Sequence, residues 1–215
     1  MKTRGIVKTG ATLALIAAIC TALVAGTWRI TRDRIAANRK AQLEQSLAPA
    51  LADLVYDSGV TESRLVIPPT DELPGAGPVL VYRVFSADKP VAALFIVTAR
   101  DGFSGPIRIL VGADYDGSVS GVRILEHHET PGLGDRIDQS KSDWVVQFDG
   151  RSIGDPPADH WSIHEDGGDF DQLTGASITP RAVIKAVRDT LLYYEAHREE
   201  IFTLPATVEG DEDGQ

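Results

Sequence analysis

The chain has 215 residues, room for one membrane segment and one soluble domain that buries its own core. Its formal charge of −10, with no basic stripe beyond residue 40, excludes nucleic acid as a partner, because holding phosphates needs a basic surface that releases counterions. The single cysteine, Cys20, excludes both a disulfide framework and a thiolate metal site within one chain.

Residues 9 to 28, between Lys8 and Arg29, carry no charge and are mostly Ala, Leu, Ile, Val and Thr. As a helix they span about 30 Å, the hydrocarbon core of a bilayer, and the expectation is an uncleaved anchor in contact with lipid. A cleaved signal peptide is the rival reading, with Lys2, Arg4 and Lys8 as its basic start and the small residues near Ala25 and Gly26 as a cleavage site; the run exceeds the usual apolar stretch of such peptides. A lipoprotein fits poorly, since bulky Ile19 precedes Cys20. Both flanks are basic, Lys2, Arg4 and Lys8 against Arg29, Arg32, Arg34, Arg39 and Lys40, so charge counting weakly favours the orientation opposite to an exported domain, and localisation is not rested on it.

From Trp28 to Leu54 apolar residues recur at helical intervals, which predicts a helical connector. Pro68, Pro69, Pro74 and Pro78, with Gly75 and Gly77, mark a linker. Val79 to Phe85 and Val91 to Val97 then read as one β-hairpin, and Ile107 to Val111 with Val119 to Leu125 as a second, closed by the tight turn Tyr115-Asp116-Gly117. Pro180 to Glu200 has a helical stripe of Val183, Ile184, Val187, Leu191 and Leu192. Strands followed by a helix predict an α+β fold: an N-terminal transmembrane helix, then an antiparallel-sheet domain with a C-terminal helix. The boundaries are 1–28 for cytoplasmic tip and anchor, 29–78 for connector and linker, 79–204 for the domain and 205–215 for an acidic, disordered tail.

Two stretches carry chemistry. In HHETPGLGDRI, residues 127 to 137, Pro131, Gly132 and Gly134 predict a tight loop whose backbone can approach a ligand. His127 and His128 alternate across a strand, so one face offers only His127 and Glu129, fewer ligands than zinc takes, and no metal site is assigned. In DGGDFDQLTGASITPRAV, residues 166 to 183, Thr179 before Pro180 reads as a helix N-cap. Thr174, Ser177 and Thr179 put three hydroxyls at the positive end of that helix, a capping turn or an anion site. A serine hydrolase is disfavoured, because GASIT lacks the second glycine of a nucleophile elbow.

Together with the N-terminal apolar segment, GFSGPIRILVGAD (102 to 114), EHHETPGLGD (126 to 135), DGGDFDQ and TGASITP (174 to 180) closely resemble the G subunit of the Rnf, or Rsx, ion-translocating electron-transport complex. The chain is similar more distantly to the C subunit of the sodium-translocating NADH:quinone oxidoreductase. The resemblance covers essentially the whole chain. It implies an FMN-binding domain on the periplasmic side of the inner membrane, with FMN joined by a phosphoester to the last hydroxyl residue of an S/T-G-A-T/S motif by a dedicated flavin transferase. Thr174-Gly175-Ala176-Ser177 occupies that motif, with Ser177 where the family usually has threonine, and Thr179 and Thr174 as fallback acceptors.

The resemblance further implies a flavin environment built from Thr174, Gly175, Ala176 and Thr179 with Glu129, Thr130, Gly132, Leu133 and Gly134, while Asp169 and Asp171 serve ligand binding or transferase recognition. The implied role is an electron-carrying subunit of a multi-subunit translocase that neither oxidises NADH nor moves ions alone. The alternative is an anchored assembly or binding module with the same fold and no covalent flavin.

Overall fold

The computed structural model describes residues 63–205 and, nearer the N-terminus, helical residues 13–18, 20–21, 24 and 26–28. Residues 1–45 and 46–215 form two separate units. In the first, Leu13, Leu15, Ile16, Val24 and Trp28 present exposed apolar side chains. Among the described residues no helix is long and apolar enough to cross a membrane. The anchor expected over 9–28 lies partly outside those residues, as do the connector expected up to Leu54 and nearly all of the acidic tail.

In the second unit five antiparallel strands form a meander in the order β1-β2-β3-β4-β5: β1 (Arg64–Ile67), β2 (Val79–Ser86), β3 (Lys89–Ala99), β4 (Ile107–Asp114) and β5 (Val119–Glu126). Both expected hairpins form. The first turns through Ala87 and Asp88 at positive φ, the second through Gly117 at φ +100°, conformations in which a hairpin closes without splaying its strands. Strand β1 is a correction, because it starts the sheet inside the stretch read as a linker. Leu65 and Ile67 alternate inward and pair with β2, and the prolines begin only at Pro68.

Period-two alternation directs Val79 and Val81, Phe95 and Val97, and Ile109 and Val111 into one core. Phe95 stands opposite Val111 and Val97 opposite Ile109 across β3 and β4. The C-terminal helix (Ile178–Thr203) crosses these two strands. Its Val183, Val187 and Leu191 are fully buried, each contributing about 1.5–3 kcal/mol by area, and Tyr194 meets Phe95 edge-to-face at 5.9 Å. Leu192, expected on this stripe, is exposed.

Between β5 and the helix the chain winds through four short 3₁₀ helices, Gly134–Ile137, Asp143–Phe148, Ala158–His160 and His164–Asp166. Aromatic rings hold this region together: Phe148 stacks on Phe170 at 5.1 Å and on Trp161 at 6.2 Å, with Trp144 edge-on to Phe148 at 5.5 Å.

At the far end of the C-terminal helix, buried Arg83 donates from Nη1 to the carbonyls of Ile201 (3.1 Å) and Leu204 (2.5 Å) and from Nε to Ser63 Oγ (3.0 Å). The guanidinium thus satisfies carbonyls that a helix leaves unpaired and opposes the negative end of its dipole. Replacing it by alanine strands buried acceptors, so Arg83→Ala should lower unfolding stability in denaturant titration by about 2–3 kcal/mol, whereas Arg100→Ala, at an exposed position, should stay within about 0.5 kcal/mol of the parent.

Candidate functional site

Glu129 follows the end of β5 and is buried, with 4 % of its surface exposed. Its backbone N–H donates to His127 Nδ1 at 3.1 Å, which turns the chain inward. Oε1 accepts the Ser104 N–H at 3.0 Å, and Oε2 accepts the Thr179 hydroxyl at 2.5 Å. One carboxylate therefore ties together the loop after β3, the loop after β5 and the first turn of the C-terminal helix.

Glycines make this closure possible. A Cβ on Gly102 would lie 2.9 Å from Glu129 Oε1, and one on Gly134 would lie 2.8 Å from Oε2 and 2.9 Å from Thr179 Oγ1. Gly132 serves differently: its φ of +77° is left-handed, nothing crowds its missing Cβ, and its N–H donates to Asp135 Oδ1 at 2.7 Å.

The C-terminal helix begins at Ile178 with Ser177 as N-cap, which corrects the expected start at Thr179 and Pro180. The Thr179 side chain is drawn to Glu129 instead of capping, and Pro180 falls in the first turn, where no N–H is needed. Ser177 has helical φ and ψ, and its side chain makes no capping hydrogen bond, so its hydroxyl is uncommitted to the helix it starts. The three hydroxyls of the motif differ sharply: Thr174 is exposed, Ser177 half-buried and Thr179 fully buried.

These segments enclose a cleft of about 510 Å³, within the range of small-molecule sites. Its walls include Glu129, Thr130, Leu133 and Gly134 from one expected stretch and Thr174, Gly175, Ala176, Ser177 and Thr179 from the other. Gly132 is not part of the wall. Sequence reasoning missed Phe103, Glu165, Gln172 and Leu173, which complete it with Ile178 of the TGASIT segment. Phe103 (66 % exposed), Ile178 (46 %) and Leu133 (41 %) put apolar surface at this cleft. The signal for Phe103 was its place between Gly102 and Ser104-Gly105 in a loop without strand alternation.

Asp169 and Asp171 lie outside the cleft wall. Phe170 between them is buried, and both carboxylates are exposed. Asp169 stands 3.4 Å from His160 and Asp171 3.3 Å from His164, while the Asp171 carbonyl accepts the Trp144 indole N–H at 2.7 Å. Arg181, in the first turn of the helix, is taken up by Asp166 at 2.6 Å and Glu165 at 3.5 Å, and its guanidinium holds the Asp166 carboxyl below the usual range. Among the described residues no cluster of His, Cys, Asp and Glu could hold a metal ion.

Residues 102–192, which contain every wall residue of the cleft, match the FMN-binding domain family, and residues 1–49 match the RnfG N-terminal region. A protein of Escherichia coli (strain K12), named as the G subunit of an ion-translocating oxidoreductase complex, is 45 % identical over 94 % of this chain and 97 % of its own length. One of the same name from Shewanella baltica (strain OS223) is 42 % identical over 96 % and 98 %. The chain belongs to the G-subunit family of ion-translocating oxidoreductase complexes. In this family member the five-stranded antiparallel sheet and C-terminal helix fit an FMN-binding domain, and the residues at the cleft fit the group: a helix N-terminus without a side-chain cap for a phosphate and apolar side chains for a flat ring system.

The two glycines of the loop predict different penalties. Gly134→Ala pushes a methyl into the Glu129–Thr179 contact and should cost about 2 kcal/mol or more of unfolding stability, whereas Gly132→Ala carries only left-handed backbone strain of about 1–2 kcal/mol in open space. Denaturant titration of both variants checks the order, and a costlier Gly132→Ala would contradict it.

Proposed function

We propose that the chain is a membrane-anchored flavoprotein subunit that carries electrons through FMN joined by a phosphoester to Ser177. The observation that carries this reading is the cleft itself. Its wall includes Ser177 with a hydroxyl free of capping duty, beside a helix N-terminus whose dipole favours a phosphate, while the Thr179 hydroxyl is buried and already donates to Glu129. Serine offers the same attacking oxygen as the family's usual threonine, so the substitution leaves the ester chemistry intact.

In this arrangement the Ser177 oxygen would anchor the phosphate, and the backbone N–H groups of Ile178 and Thr179 at the helix start would bind it, Pro180 having none. Phe103, Leu133 and Ile178 would offer apolar surface to a flat ring system, and Thr130 and Gln172 would offer it polar contacts at the wall. When bound, the flavin supplies the electron chemistry, and no acid, base or nucleophile is required of the side chains for it. Asp169 and Asp171, exposed on either side of buried Phe170 and close in sequence to the acceptor, suit recognition by a flavin transferase.

The relatives' name supports partners among the other subunits of an ion-translocating oxidoreductase complex. The match to the RnfG N-terminal region and the exposed Leu13, Leu15, Ile16, Val24 and Trp28 support an anchor over residues 9–28, and the reading puts that anchor in the inner membrane with the domain in the periplasm. A reporter active only in the cytoplasm, fused after Gln215, should be silent; strong activity would overturn this orientation.

The acceptor is tested by intact mass and peptide mapping after coexpression with a flavin transferase. Ser177→Ala should abolish the covalent FMN increment, and Ser177→Thr should keep or raise it. FMN persisting in Ser177→Ala would move the attachment to Thr174 or Thr179. A parent chain that never gains the increment would favour the module without covalent flavin.

A further inference from the structure

Electron carriage does not explain one feature of the cleft, a glutamate buried in its wall and hydrogen-bonded to a threonine two residues beyond the proposed acceptor. Resting on the flavoprotein reading above, we infer that Glu129 is the positioning residue that selects Ser177 over Thr179 as the modified hydroxyl.

The motif presents both hydroxyls within one helical turn, and chemistry alone does not choose between them. A carboxylate that accepts a hydroxyl proton would also sharpen that oxygen as a nucleophile, which points towards Thr179. Yet Thr179 has no exposed surface, and Gly134 packs so closely over the contact that even a methyl there would lie 2.9 Å from Thr179 Oγ1. No incoming phosphorus reaches that oxygen. Glu129 therefore withdraws Thr179 from competition and uses it as a peg.

The peg is fixed from two sides, because the other carboxylate oxygen is held by the Ser104 N–H. With Thr179 pinned, the helix start cannot rotate about its axis, and Ser177 stays on the cleft wall with its hydroxyl uncapped. The step being directed is a phosphoryl transfer from a flavin phosphoanhydride, such as a flavin dinucleotide, brought by the transferase. The Ser177 Oγ–P bond forms and the phosphoanhydride P–O bond breaks. The nucleotide monophosphate leaves, the hydroxyl proton passes to a base of the transferase, and no electron moves.

The full chain, coexpressed with a flavin transferase, tests this by peptide mapping of Thr179→Val, Thr179→Ser, Glu129→Ala and Glu129→Gln. Thr179→Val keeps the buried shape and removes the donor, so occupancy at Ser177 should fall about fivefold or more, the factor that loss of one ordinary hydrogen bond represents. Glu129→Ala should show the same fall, with part of the remaining label on Thr179. Thr179→Ser keeps the donor. Glu129→Gln can accept from Ser104 through its carbonyl and donate to Thr179 through its amide, so both should stay near parental occupancy. Full modification of Ser177 in both Thr179→Val and Glu129→Ala would overturn the role of Glu129. So would equal losses in Thr179→Ser and Thr179→Val when both melt cooperatively. A parent chain without flavin would overturn the flavoprotein reading and this one with it.

Discussion

Burying a carboxylate is costly unless its oxygens find donors, and the fold around Glu129 answers that demand from both directions. The Ser104 N–H arrives from 25 residues earlier and the Thr179 hydroxyl from 50 residues later. Neither segment is near Glu129 in sequence, so the cleft exists only once the sheet has set β3, β4 and β5 side by side and the C-terminal helix has docked across them. Gly102 and Gly134 are part of the same requirement, since a side chain on either would stand where a carboxylate oxygen must lie. Removing one donor would leave the charge underpaired in a dry place, and the loss would be shared by all three cleft segments.

The helix that brings Thr179 is held at both ends by charge of the sign its dipole prefers. Glu129 meets its first turn, and Arg83 meets the carbonyls of Ile201 and Leu204 at its end. Between these points Val183, Val187, Leu191 and Tyr194 pack on the sheet, so the helix has little freedom to slide or turn. A residue at its start is thereby as well placed as a residue on the sheet itself. For a site that must offer one oxygen to a large reactant, such stiffness limits which oxygen is offered.

Elements whose local chemistry agrees with their tertiary role were legible in the sequence. The two hairpins were legible from β-branched and aromatic runs and the Asp-Gly turn, and the helix from its apolar stripe. Strand β1 was hidden because four residues are too few for a period to show and Pro68-Pro69 follow at once. Residues 138–165 gave no signal, since 3₁₀ turns have no long repeat and are held by rings that are distant in sequence, Phe148 on Trp161 and Phe170. The helix start was misplaced for a tertiary reason: Thr-Pro is a good local cap, but the Thr179 hydroxyl has a better partner in Glu129. The two motif stretches pointed to the cleft, while Phe103 was missed because a single exposed apolar residue looks like any other until its neighbours are known.

The cleft wall also bears on why a covalent bond suits it. Among the wall residues there is no lysine or arginine, while Glu129 and Glu165 both contribute to it, and Arg181, the cation in the helix's first turn, is occupied by Asp166. A free flavin phosphate carries between −1.5 and −2 charges at neutral pH, roughly, and would approach an acidic chain of −10 with the helix N-terminus, but no cationic side chain among the wall residues, to attract it. That is a weak basis for retaining a diffusible cofactor. Esterification to Ser177 removes one ionisable oxygen, which lowers the charge set against Glu129 and Glu165, and replaces an unfavourable association by a bond. On this reading the acidic character of the site and the tether are two halves of one arrangement: the wall is free to carry carboxylates that position the acceptor, because holding the flavin no longer depends on opposite charge.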